Sequence, residues 1–260
     1  EEKVELSRPA WFTLAVISIM TVWWVTEAVP IYITGIVPLI AFPLLNIYDI
    51  QEIAVAYAHP LVLLFLFCFI IAAAMESSGL HKRIALKILS FFGTSPSKII
   101  AGFMFSTGVL SMWVSNTAST IMMLPIALSV ISMMSSEKKI VDKKFAIPLL
   151  LSIAYAASVG GTATLIGTPT NIMLASILND NYNYQISFID WFIIGFPVAM
   201  ILIPVIWFFM TKILFKVSNK NSIALEKTIT NINKTIGKAS FKEKVVALIF
   251  ILTAFFLIFI

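Results

Sequence analysis

Seven stretches of the chain carry almost no charge: residues 11–26, 28–48, 53–75, 99–136, 145–179, 191–211 and 245–260. Several reach the roughly 20 residues that a helix needs to cross a bilayer. The pattern predicts an all-α integral membrane protein, a multi-span helical bundle. Two of the stretches are too long and too interrupted to be single spans. Ser115, Asn116 and Thr117 lie inside 99–136, and Gly167-Thr168-Pro169-Thr170-Asn171 lies inside 145–179. Backbone broken at membrane depth must be satisfied by protein, by a water-filled cavity or by a bound ion, because lipid offers no partner. Half-helices that end at such a cavity hold anions and sodium in many secondary transporters, so the interruptions point to a solute pathway.

Charge turns this pattern into a topology. Of the 18 Lys and Arg, four fall between Glu76 and Lys98, four between Glu137 and Lys144, and eight between Lys212 and Lys244. Segments 46–60 and 179–190 hold none, only Asp49, Glu52, Asp180 and Asp190. The positive-inside rule places the basic loops in the cytoplasm and the acidic ones outside. Both flanks of 99–136 then lie on one side, so that segment enters and returns. Its first arm, 99–114, spans roughly 24 Å at ~1.5 Å per residue, short of the ~30 Å hydrocarbon core. This predicts a re-entrant helical hairpin with Ser115-Asn116-Thr117 at its tip; an ordinary pair of full spans is the alternative. Ala101, Gly102, Ser106, Thr107, Gly108 and Ser111 permit close helix approach.

Segment 145–179 must instead cross once, yet it is longer than one span requires. Gly160-Gly161 and Gly167-Thr168-Pro169 predict a discontinuous helix, since proline both ends the incoming helix and suits the first turn of the next. Thr168 is placed as an N-cap, with amide donors of the second half-helix aimed inward. A simple proline kink is the alternative. Residues 80–92 are amphipathic, with Leu80, Ile84, Ile88 and Phe91 on one side and His81, Arg83, Lys87 and Ser90 towards the other, which predicts a helix lying flat on the cytoplasmic surface. Residues 212–244 read equally well as a linker with an interfacial helix, on Ile223, Ile229, Ile232 and Ile236, or as a solvated loop.

Composition supports the membrane reading, with 60% hydrophobic and 12% charged residues. The net charge of +5 follows the loops and is no nucleic-acid signal. One cysteine, Cys68, and two histidines, His59 and His81, offer neither a disulfide framework nor a metal cluster. No aspartate pair lies in the spans and no serine sits near a histidine base, so no catalytic residues are assigned and an enzyme is not expected.

The polar motifs have their own side-chain logic. Ser111 and Ser115 are four residues apart, so on a helix their hydroxyls face one way, beside the exposed carbonyls of the helix end. Uncharged oxygen donors fit a weakly held monovalent cation. Asn116 offers an oxygen to the cation and an amide group to an anion, and Thr117 adds a hydroxyl and helix-terminal amides. Neither broken stretch contains Asp, Glu, His or Lys, the usual intramembrane proton carriers, which favours sodium over proton coupling. Sodium is the expected coupling ion, and no other cofactor or metal is expected.

Four motifs in register carry a family likeness: Met112-Trp113-Val114-Ser115-Asn116-Thr117-Ala118, Gly167-Thr168-Pro169-Thr170-Asn171, Trp23-Trp24-Val25-Thr26-Glu27-Ala28-Val29-Pro30, and Ala74-Met75-Glu76-Ser77-Ser78-Gly79-Leu80-His81-Lys82-Arg83-Ile84-Ala85-Leu86. Together they resemble the divalent anion/sodium symporter family, the sodium-coupled dicarboxylate, citrate and sulfate transporters. The resemblance implies an elevator-type homodimer in a cell membrane, that of a bacterial cytoplasm being expected, made of two inverted repeats of which this chain matches the first. It implies a first sodium site at Ser111, Ser115, Asn116 and Gly167, substrate contacts at Asn116, Thr117 and Thr168, and a loop braced by Pro169 and Asn171. Residues 1–92 would be scaffold spans and the interfacial helix. Residues 93–211 would be half of the transport domain, with the hairpin at 99–136, the broken helix at 145–179 and a span at 191–211. A cytoplasmic linker at 212–244 and the start of the second repeat at 245–260 would follow.

Each site motif occurs once, so the expectation is half of a binding site, unable to transport alone. Glu1 in place of an initiator methionine fits a lost preceding span. C4-dicarboxylates (succinate, malate, fumarate) or citrate are the expected cargo. A sodium-independent anion exchanger and a sulfate, arsenite or other oxyanion transporter are the rivals, since helix-end amides accept carboxylates and oxyanions alike.

Overall fold

The computed structural model describes residues 6–138, 143–218 and 237–259, and every regular element among them is helical. The chain divides into two compact units, Glu1–Leu64 and Phe65–Ile260. The first holds α1 (Arg8–Thr26), α2 (Ile31–Leu44) and α3 (Ile50–Tyr57). Helix α1 starts at a proline in its first turn and ends at Glu27, whose φ of 50° is left-handed; Pro30 follows, where a helix cannot readily continue. It buries only Val16 and exposes Trp11, Val22 and Val25, the apolar coat that a lipid-facing helix needs. Tyr57 donates its hydroxyl to Gly35 O at 2.6 Å, tying α3 to α2.

The apolar run 53–75 is not one helix. It divides at Ala58-His59 into α3 and α4 (Pro60–Ser78), because Pro60 lacks an amide hydrogen and drives His59 out of helical geometry. Helix α4 begins in the first unit and runs into the second.

The second unit continues with α5 (Leu80–Phe91), α6 (Pro96–Ser111), α7 (Asn116–Lys138), α8 (Lys143–Gly161), α9 (Pro169–Tyr182) and α10 (Phe188–Phe208). A π-helical turn, Phe209–Leu214, extends α10, and α11 (Phe241–Phe259) closes the described chain. The expected interfacial helix on Ile223, Ile229, Ile232 and Ile236 lies outside the described residues. Among the described residues, three unbroken helices are long and apolar enough to cross a bilayer: α1, α8, and α10 with its π extension.

Helix α6 is the hub. It buries residues on every side, among them Ile99, Ile100, Phe103 and Met104, against Met123, Ala127 and Val130 of α7 and Leu149 and Ile153 of α8. Its contact with α8 is set by two glycines: a Cβ on Gly160 would stand 2.3 Å from Gly108 O, and one on Gly108 would stand 2.6 Å from Ile203 Cδ1 of α10. Absence of a side chain at both positions lets the two backbones touch.

Helix α5 forms where its amphipathic pattern predicts, but with a different buried face. Leu80, His81, Ala85 and Leu89 are buried, whereas Phe91 is 78% exposed. The helix packs on α6, where Ser106 donates to Ala85 O at 3.1 Å and Gly102 makes room for Leu89. Small Ala85 belongs at this close contact, and burial of His81 is compensated by a 3.1 Å hydrogen bond between Nδ1 and Met75 O.

On its other flank α5 grips the start of α11. Arg83 donates from Nε and Nη2 to the two carboxylate oxygens of Glu243 at 2.9 and 3.0 Å, from Nη1 to Gly237 O at 3.0 Å, and from Nη2 to Lys238 O at 3.2 Å. The Arg83 fork, with the Ser240 amide, holds the Glu243 carboxyl down at about 2. An unfolded glutamate titrates near ~4.3, so the pair stabilises the fold above that pH and loses its contribution as pH falls towards 2. Melting temperature in detergent is expected to drop between pH 5 and 2, and Glu243→Gln is expected to melt lower at pH 7 and to flatten that drop.

Candidate functional site

Helix α6 stops at Ser111. Met112 N still donates to Gly108 O at 3.1 Å, and Trp113 N and Val114 N both turn back to Leu110 O at 3.1 and 2.9 Å. The tight turn throws Trp113 outwards, where its ring stacks on Phe188 of α10 at 6.2 Å and meets Phe250 of α11 edge-on at 5.0 Å. Ser115 follows the turn and precedes α7, accepting Ala118 N on Oγ at 3.3 Å and Ser119 N on its carbonyl at 2.9 Å. This is N-cap geometry. The expectation that Ser111 and Ser115 share one helical face is therefore corrected: the helix ends between them, and Ser115 belongs to the second arm.

Ser111 is fully buried and reaches across to α8. Its Oγ lies 2.8 Å from Asn116 Oδ1 and 2.6 Å from Ala157 O. A hydroxyl has one proton, so it serves one of these acceptors at a time, and it gathers three uncharged oxygens near the ends of α6 and α8. Asn116, the first residue of α7, is partly buried, and its amide lies over Gly161, where a Cβ would fall 2.0 Å from Oδ1.

The second interruption begins at that glycine. Thr162 N and Ala163 N turn back to Val159 O and Gly160 O at 3.2 and 3.0 Å, and Gly167 N reaches Thr164 O at 3.3 Å. The chain resumes as α9 at Pro169, with Thr168 in the N-cap position at φ −147°, ψ 146°. The Thr168 side chain does not cap; Asn171 N bonds the Thr168 carbonyl at 3.2 Å, and Thr168 Oγ1 lies 3.2 Å from Thr170 Oγ1. Asn171, buried, donates from Nδ2 to Gly161 O at 3.0 Å and Thr164 O at 2.8 Å. Gly167 is buried against Gly161, whose carbonyl would be 2.4 Å from a Cβ there.

The two interruptions thus share one contact zone. It brings together Ser111 and Asn116 from the helical pair, Ala157 and Gly161 from the end of α8, and Gly167 and Asn171 from the loop and the start of α9. Thr117, Pro169 and Thr170 are exposed and Thr168 is half-buried. Two contributors escaped the sequence reading. Ala157 enters through its carbonyl, which no side-chain pattern reveals. Thr164, fully buried, donates to Met112 O at the end of α6; its only sequence signal is a polar residue between two glycine breaks. No formal charge lies in this zone, so its electrostatics come from hydroxyls, amides and helix termini: carbonyls where α6 and α8 end, amides where α9 begins.

A family model described as citrate transporter (CitMHS) matches residues 21–260. The sodium-dependent dicarboxylate transporter SdcS of Staphylococcus saprophyticus is 39% identical over 255 residues, covering 96% of this chain and 49% of that protein. The Staphylococcus aureus (strain USA300) protein of the same name is 37% identical over 248 residues, covering 94% of this chain and 48% of its own length. The chain spans about half the length of these relatives. With the family model matched across both interruptions and the helices that carry them, the chain belongs to the citrate transporter family of membrane proteins.

Proposed function

We propose that this chain supplies the first half of a sodium-coupled symporter of divalent anions, with C4-dicarboxylates such as succinate, malate and fumarate as its cargo and citrate next. The observation that carries the reading is the meeting of three uncharged oxygens, Ser111 Oγ, Asn116 Oδ1 and Ala157 O, near the ends of α6 and α8. Uncharged oxygen donors beside exposed helix-end carbonyls fit a weakly held monovalent cation. Ser111, Ser115, Asn116 and the Gly167 backbone hold sodium in this reading. Asn116, Thr117 and Thr168 meet a substrate carboxylate at the start of α7 and α9, where helix-terminal amides favour anions. Pro169 and Asn171 brace the loop between them. The name of these relatives, sodium-dependent dicarboxylate transporter, supports both the ion and the substrate class.

An elevator movement within a homodimer fits the same family resemblance. Residues 1–92 then provide scaffold, 93–211 half of the moving domain, 212–244 the cytoplasmic linker and 245–260 the entry to a second repeat. The exposed apolar surfaces of α1 and α2 suit lipid and a second copy. Reconstituting the complete gene product in liposomes tests the function directly. Labelled succinate is expected to accumulate under an inward sodium gradient and not under an equal potassium gradient. Uptake that follows a pH gradient and ignores sodium, or counterflow that persists without sodium, would overturn it.

A further inference from the structure

We propose that Thr164 is a positioning residue that sets the sodium affinity of this site, an inference that rests on the sodium-coupled reading above. Thr164 lies between the two breaks, touches none of the three converging oxygens, and has 0% exposure. Its hydroxyl donates to Met112 O, 52 residues away in sequence. Met112 caps α6, and its carbonyl is one of the last-turn acceptors that the helix cannot satisfy internally. The carbonyl of Thr164 accepts Asn171 Nδ2 at 2.8 Å and Gly167 N at 3.3 Å. One residue therefore ties the end of α6, the loop after α8 and the first turn of α9 into a single hydrogen-bonded unit.

The consequence follows from covalent geometry. Met112 is bonded to Ser111, whose Oγ is shared between Asn116 Oδ1 and Ala157 O. Holding Met112 O holds Ser111 relative to α8, and hence the spacing of the three oxygens. Without the Thr164 hydroxyl a buried carbonyl loses its partner and the turn is free to shift towards another donor. Cation affinity depends steeply on oxygen spacing, whereas the Thr164 hydroxyl bonds neither Thr117 nor Thr168, the residues assigned to the carboxylate alone.

Thr164→Ser keeps the hydroxyl and loses the methyl; Thr164→Ala loses both, so their difference isolates the hydrogen bond. In the complete protein in liposomes, Thr164→Ala is expected to raise the sodium concentration for half-maximal succinate uptake about 10-fold, the scale of one lost buried hydrogen bond. Thr164→Ser is expected to stay within about twofold of the unaltered protein, and all three are expected to share the substrate half-saturation at saturating sodium. Thr164→Val, close in shape, provides the same reading if the alanine variant does not fold. Equal sodium dependence in the serine and hydroxyl-free variants would overturn the role of Thr164 while leaving the transporter reading intact. An unaltered protein without sodium dependence would overturn both.

Discussion

Asn116→Ala is expected to abolish sodium-driven uptake at ordinary sodium and substrate concentrations while leaving the protein folded. Asn116 is assigned to both ligands, and its side chain is only partly buried, so truncation removes function without opening the core. A hydrogen bond to a charged group contributes roughly 1.5–3 kcal/mol, which converts to about 10- to 100-fold in apparent affinity for each ligand. Coupling multiplies the two losses in the rate at low concentration. Flux assays over a wide range of sodium and succinate, with size-exclusion profiles as the folding control, measure both. Retention of sodium-dependent uptake within a few-fold would remove Asn116 from the site. Asn116→Asp makes a sharper companion. It keeps an oxygen for the cation and places a negative charge beside the anion, so substrate affinity is expected to fall further than sodium affinity.

The second large effect separates two adjacent glycines. Alanine at Gly160 would put Cβ 2.3, 2.6 and 2.8 Å from the O, Cα and C of Gly108. Those are backbone atoms of the most buried helix in the fold, with no flexible end to yield. Helices α6 and α8 must part, and overpacking of this kind costs roughly 1–3 kcal/mol or more. Gly160→Ala is expected to lower the melting temperature and the yield of monodisperse protein. Alanine at Gly161 meets instead the Asn116 side-chain oxygen at 2.0 Å, which rotates away. Gly161→Ala is expected to fold and melt nearly normally yet to lose sodium-dependent uptake, because the displaced atom is the proposed ligand. Gly35, with nothing within 4 Å of the added methyl, provides the neutral control. Equal melting temperatures for the Gly160 and Gly161 variants would contradict the packing derived for α6 and α8.

The breaks themselves were legible from sequence because their causes are local. Helix α8 ends at Gly161 and α9 restarts at Pro169, where glycine and proline chemistry places them. Helix α6 ends at Ser111, three residues before the expected limit of the first arm. That small difference reassigned Ser115 from the first arm to the cap of the second, since a helix terminus decides which hydroxyls share a face. Pro60 signals the division of 53–75 equally well, but the uninterrupted apolar run around it concealed the turn. The buried face of α5 departs from its amphipathic pattern for another reason. Hydrophobicity ranked Ile84, Ile88 and Phe91 above Ala85 and His81, whereas close approach to α6 selects the small residue at the contact and leaves Phe91 outside.

Apolar run length and the two polar interruptions by themselves determined a helical membrane protein with a charge-free candidate site, because they depend only on hydration and backbone propensity along the chain. Which groups meet at that site was decided in three dimensions. The Ala157 carbonyl, the Thr164 hydroxyl and the bare Cα of Gly161 acquire their roles from the approach of α6 to α8 at Gly108 and Gly160. A main-chain carbonyl has no residue-specific signature, and a contact across 46 or 52 residues leaves no periodic trace, so only tertiary packing could bring them to one point.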